Sequence, residues 1–101
     1  MAKQQSSVKE RQRTDIDEPR QFKVIFHNDD FTTFDFVVKV LMTVFFKSKT
    51  EAERLTIEVD RKKLATVGVY SRDVAVTKME KATKMARAEG FPLRITCEPL
   101  D

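Results

Sequence analysis

The stretch HNDDFTTFDFVV, His27 to Val38, places a carboxamide and two carboxylates directly after the apolar run 22–26. Asn28, Asp29 and Asp30 offer acceptor oxygens that could converge on one small cation. An ammonium held by such oxygens gains charge-assisted hydrogen bonds, stronger than their neutral counterparts. The order of residue types reads as a strand, a polar corner and a helix. In the box T-x-x-D, Thr32 is expected to cap that helix by accepting from the amide three residues on, with Asp35 reaching back to the cap amide. Turn and cap chemistry alone also accounts for these residue types, because Asn, Asp and Thr bond readily to nearby backbone.

Other chemistries fit the chain poorly. His27 is its one histidine. As the residue ending a strand it alternates away from its neighbours, so a metal cluster or acid–base set with Asp29 and Asp30 is not expected. There is no paired nucleophile and base and no phosphate-binding loop, and glycine occurs twice. Catalysis, a cofactor and a metal are therefore not expected.

The elements that must hold the corner follow from periodicity. Residues 22–26 form a short, nearly continuous apolar strand. From Thr33 to Phe46, the residues Val37, Val40, Leu41, Val44 and Phe45 recur at three- and four-residue spacing, the stripe of a buried helix face. Ser48 opens a second capping box with Glu51, and Ala52, Leu55, Thr56 and Val59 carry the inner face of that helix. Residues 64–70 are β-branched and apolar without helical period, a second strand. Ser71 is expected to cap a third helix ending near Gly90, with Val74, Ala75, Ala82, Met85 and Ala86 inward. Residues 93–97 make the third strand. The order β-α-α-β-α-β predicts a small α/β sandwich, three helices packed on a three-stranded antiparallel sheet.

Length and composition bound the rest. A chain of 101 residues is one domain with a modest core, and 41% hydrophobic with 35% charged residues is ordinary for a soluble globular protein. Residues 1–20 are polar, with Met1, Ala2, Val8 and Ile16 as the apolar exceptions, and cannot bury enough surface to offset their ordering entropy. They are expected to be a flexible extension to a folded domain over 21–101. No apolar run approaches the roughly 20 residues needed to span a bilayer. The first residues also lack the apolar core of a signal peptide. Cys97 is the lone cysteine, which excludes an internal disulfide and makes a reducing, cytoplasmic compartment the default. The net charge of +3 is interspersed, and its densest cluster, Arg61-Lys62-Lys63, has no aromatic stacking set beside it. Nucleic acid and membrane are thus not expected partners.

Taken together, HNDDFTTFDFVVKVL, KSKTEAERL and TVGVYSRDVAVTKMEKATKMARAEGFPLRIT resemble the ClpS family of adaptors for the Clp protease, over about residues 21–97. The H-N-D-D-[aromatic]-T corner, the G-V-[aromatic]-[S/T] strand end and the A-x-T-K helix carry the resemblance. It implies a pocket for the first residue of a substrate chain, an N-degron with a bulky hydrophobic side chain. By motif, Asn28, Asp29 and Asp30 match the amine-binding corner, and Thr32 a residue bordering the pocket. Phe26, Val37, Val59 and Leu93 match its apolar wall. Asp60 stands where the family has a histidine, Phe34 where it has a thioether at the mouth, and Thr56 at a second methionine-type wall position. Clustered carboxylates at Asp29, Asp30 and Asp60 are expected to raise at least one carboxyl pKa. The loop after the second helix has Lys62-Lys63 where the family has glycine.

The resemblance also implies a second surface, for the N-terminal domain of a AAA+ Clp unfoldase, at Asp73 and Lys78 on the third helix. Both side chains are expected to be exposed and free of core packing. Three functions compete: a monomeric, non-catalytic adaptor delivering N-degron substrates to an unfoldase such as ClpA or ClpC; a regulator that docks on the unfoldase without reading degrons; and, by fold analogy, a translation-associated module.

Overall fold

The structure, a computed structural model, describes residues 20–100. The expected flexible extension therefore lies outside the described residues, apart from Arg20. Strand β1 (Gln21–His27) leads through the polar corner into helix α1 (Phe34–Thr43). Helix α2 (Lys49–Lys62), strand β2 (Leu64–Ser71), helix α3 (Arg72–Ala88) and strand β3 (Arg94–Pro99) follow. The predicted element order holds throughout. The sheet runs β2-β1-β3, with β1 antiparallel to both neighbours.

The central position of β1 explains its composition. Val24, Ile25 and Phe26 are all buried, whereas β2, at an edge, alternates buried Ala65 and Val67 with exposed Leu64 and Thr66. The β1–β2 register shifts between Val24 and Ile25, opposite Gly68. Gly68 gives the Tyr70 ring room to lie over the strand, since a Cβ there would meet Cε2 of that ring at 2.6 Å and the ring would have to shift. The G-V-Y sequence thus lets an aromatic ring fold back over its own strand.

The helices cover the core face. Val37, Val40 and Leu41 of α1 are buried, as predicted, and Phe36 joins them. Val44 and Phe45 are also buried but lie beyond the helix, so the apolar stripe outruns the hydrogen-bonded turns. Phe45 packs edge-on against Phe26 at 5.5 Å between centroids. In α2 the expected face, Ala52, Leu55, Thr56 and Val59, is the buried one. In α3 the fully buried residues are Ala75, Ala82 and Ala86, with Met79 and Met85 packed against the core. Val74, expected inward, is exposed. It lies 100° around the helix from Ala75, at the edge of the buried stripe.

Candidate functional site

The polar corner is built by Asp29. Its Oδ1 accepts from the amides of Phe31 (2.8 Å) and Thr32 (2.7 Å), and its Oδ2 accepts from the Thr32 hydroxyl (2.8 Å). Thr32 is therefore committed to Asp29, and the helix cap is the next residue. Thr33 has extended backbone, and its hydroxyl accepts from the Phe36 amide at 3.2 Å. This corrects the expected Thr32 cap. Two adjacent threonines compete for one cap position, and the aspartate three residues upstream takes the first. Nor is Asp29 a carboxyl that clustering raises. Burial opposes its ionisation, but the two amides and the hydroxyl outweigh that and hold its pKa below the ordinary 3.8.

Beside this loop is a cavity of about 110 Å³. Asn28, Asp29, Thr32, Thr33, Phe34 and Val37 line it from the corner and the start of α1, and Thr56, Val59 and Asp60 from α2. Val37 and Val59 are buried and supply the apolar wall. Thr56 is buried too, and its hydroxyl donates to the Ala52 carbonyl at 2.7 Å. The polar half of Thr56 is thus spent within its own helix, leaving a methyl for the cavity. Phe34, about half exposed, is the aromatic residue of the lining.

Three residues assigned to the pocket by motif lie elsewhere. Phe26 and Leu93 are fully buried in the core and do not line the cavity, because each packs beneath the helices. Asp30 is exposed and also outside it, since the Asp29-centred turn swings residues 30 and 31 outward. Thr33, which the motif left out, lines the cavity as the helix cap; the paired threonines were its sequence signal.

Asn28 and Asp60 differ from their neighbours in having open valences. Among the described residues neither side chain makes a protein hydrogen bond or ion pair. Asp60 moreover sits in the last turn of α2, where the helix dipole disfavours an anion by roughly 0.3–1 kcal/mol. The main chain of Asn28 is fixed, its amide donating to the Lys63 carbonyl at 2.8 Å. Lys63 adopts φ 75°, so a lysine takes the left-handed conformation that glycine would take without strain.

His27 is excluded from this chemistry by its partner. Its Nε2 lies 2.9 Å from the Thr96 hydroxyl, across the β1–β3 pair. Burial and nearby Arg94 hold its pKa below 6.5 against the opposing charge of Glu98. No group of three His, Cys, Asp or Glu among the described residues could hold a metal ion.

The second surface lies on α3. Asp73 is exposed, as expected. Lys78 is half-buried, which corrects the expectation of a lysine free of packing. Its ammonium donates to the Val44 carbonyl at 2.7 Å, just past the end of α1. It also lies 4.6 Å from the ring centre of Phe46, 5.3 Å from Tyr70 and 5.8 Å from Phe45. Phe46 is 79% exposed and left-handed, with φ 56°. A cation over an exposed ring contributes about 0.5–1 kcal/mol. Left-handed backbone costs a residue with a Cβ roughly 1–2 kcal/mol. The turn through Phe46 is held instead by the Lys47 amide, which donates to the Leu41 carbonyl at 3.0 Å.

With this geometry established, comparison with known proteins gives the family. The family described as ATP-dependent Clp protease adaptor protein ClpS matches residues 17–96. This chain belongs to the ClpS family. The ClpS adapter protein of Desulfatibacillum aliphaticivorans is 51% identical over 81 residues, covering 80% of this chain and 78% of its own. That of Acetivibrio thermocellus is 45% identical, covering 91% of this chain and 93% of its own. Among solved structures, Agrobacterium tumefaciens ClpS2 bound to L-phenylalaninamide is similar, with a TM-score of 0.79 and 40% identity. That match spans 81% of this chain and 99% of the other. The α/β sandwich is thus the ClpS fold, and relatives of this length are named as adapters. No helix among the described residues is long and apolar enough to cross a membrane.

Proposed function

We propose that this ClpS-family chain is a non-catalytic cytoplasmic adaptor that holds the first residue of a substrate chain in the corner cavity and delivers it to a AAA+ Clp unfoldase docked on α3. The observation that carries this reading is the convergence of two partnerless polar side chains, Asn28 and Asp60, on a cavity walled by Val37 and Val59. A free α-ammonium is the group such a mouth accepts, and an apolar first side chain is what such a wall accepts. Asp60 adds a full negative charge at a helix end that disfavours it, and a bound cation relieves that cost. The Agrobacterium relative, bound to an amino-acid amide with a free amine, supports the assignment. Asp29 has the indirect role of shaping the loop, since its oxygens are already occupied.

The cavity volume favours keeping a second reading. About 110 Å³ is less than the roughly 150 Å³ of an engineered apolar cavity that takes up benzene. An occupant larger than a small aliphatic group requires a lining side chain to move, and half-exposed Phe34 has the most room to do so. The alternative is a regulator that docks on the unfoldase without reading degrons.

Titration with peptides identical but for N-terminal acetylation separates the two. The adaptor reading expects acetylation to abolish measurable binding. It also expects Asn28→Ala and Asp60→Asn each to cost about 1–3 kcal/mol of affinity for the free peptide. Equal affinity for both peptides would leave the regulator.

A further inference from the structure

Phe46 is an exposed aromatic residue in a conformation that disfavours it. It is 79% exposed, and its φ of 56° places a bulky side chain where glycine or asparagine is usual. The fold gains little from the ring. The Phe46 side chain is absent from the core cluster, and its ring meets the Lys78 ammonium at 4.6 Å. The turn itself is held by backbone, the Lys47 amide donating to the Leu41 carbonyl at 3.0 Å, so it is the exposed ring that has no role inside the folded chain.

The surroundings indicate that role. Lys78 joins Phe46 to a shallow groove of about 280 Å³ on α3, lined by Asp73, Val74, Thr77 and Lys78. Val74 is 44% exposed and is the apolar residue of that groove. An acid and a base thus flank an aliphatic side chain, with an aromatic ring standing at the basic end. Exposed aromatic side chains beside charge pairs of this kind are what protein partners bury at the centre of interfaces.

We infer that Phe46 is the aromatic anchor of the surface that meets the unfoldase N-terminal domain, inserting into an apolar slot on that domain. The inference rests on the adaptor reading, and the occupant follows from the family's description as an adaptor of the Clp protease, which requires contact with a Clp component. The corner cavity lies at the start of α1 and Phe46 beyond its end, so both partners can be held at once. The groove supplies the polarity of the fit. The partner presents an acidic or carbonyl group toward Lys78 and a basic group toward Asp73.

Phe46→Gly tests this because it removes the ring and relieves the backbone strain together. Binding of the purified full chain to the N-terminal domain of a Clp unfoldase encoded in the same genome is measured with thermal unfolding and free-peptide titration. The expected result is at least tenfold weaker docking, an unfolding midpoint that does not fall, and unchanged peptide affinity. Docking retained in Phe46→Gly but lost in Asp73→Ala overturns the anchor while leaving the α3 surface in place. A midpoint that falls along with docking overturns it too, by making Phe46 structural. Failure of the unsubstituted chain to dock removes the delivery half of the adaptor reading, and the anchor with it.

Discussion

Helix α3 and helix α2 end in the same backbone conformation but with different residues. At the end of α3, Gly90 takes φ 79°, the Gly90 amide donates to the Arg87 carbonyl, and the Phe91 amide donates to the Ala86 carbonyl. This ending is architecture. Phe91 turns back to pack on Phe36 at 5.1 Å, and the glycine incurs no steric cost. At the end of α2, Lys63 takes φ 75° with its side chain exposed, and its carbonyl holds the Asn28 amide. This ending is tied to the cavity. Where the chain needs only to reverse direction it uses glycine; beside a candidate site it carries a residue that resists the turn.

The largest test of this contrast is Phe26→Ala. Phe26 is fully buried in the strand that leads into the corner and packs on Phe45 near the end of α1. Its loss is expected to cost about 3–5 kcal/mol, lowering the unfolding midpoint of the whole domain. A loss of peptide affinity at unchanged stability would instead return Phe26 to the cavity wall.

Asp29→Asn comes next, at about 1–2 kcal/mol of stability in denaturant titration, because a neutral amide accepts more weakly from the Thr32 and Phe31 amides. The acid dependence has a fixed sign. The folded pKa of Asp29 lies below 3.8, so its stabilisation is fully present above that value and lost as pH falls through the folded pKa. Asp29→Asn should flatten that part of the stability–pH curve. Equal slopes in both proteins would remove Asp29 as the organiser of the loop.

The smallest effects compare the two endings directly. Gly90→Ala meets no atom within 4 Å, so its expected loss of about 1 kcal/mol is backbone strain alone. Lys63→Gly is expected to gain about 0.5–1 kcal/mol, relief of strain partly offset by the entropy of glycine in the unfolded chain. If Lys63→Gly destabilises, the lysine side chain has a contact that explains its presence, and the contrast dissolves.

These comparisons also show what the sequence could and could not disclose. Helical periodicity located the three helices and apolar or β-branched runs the three strands, because burial is largely a local property of residue types. It overran α1 at Val44 and Phe45, which are buried as the sequence demands but by a turn. The cap was misplaced by one residue because Thr32 and Thr33 are chemically equivalent, and only the reach of Asp29 separates them. Val37, Val59 and Asp60 were legible as cavity residues from their matching motif positions. Leu93 was not, since an apolar residue in the core and one in a pocket wall look alike until the helices are placed. Lys78 was read as exposed because its partner, Val44, is 34 residues away. Long-range pairing of that kind leaves no local pattern.

The bond between the Asn28 amide and the Lys63 carbonyl follows directly on the rungs of the β1–β2 ladder, which pairs His27 with Leu64. The first cavity residue is in effect one further step of the sheet. Its amide should exchange with solvent as slowly as those of the central strand, although its side chain is exposed. A ligand would then meet a mouth whose main chain is already at rest, and little ordering entropy would be lost there on association.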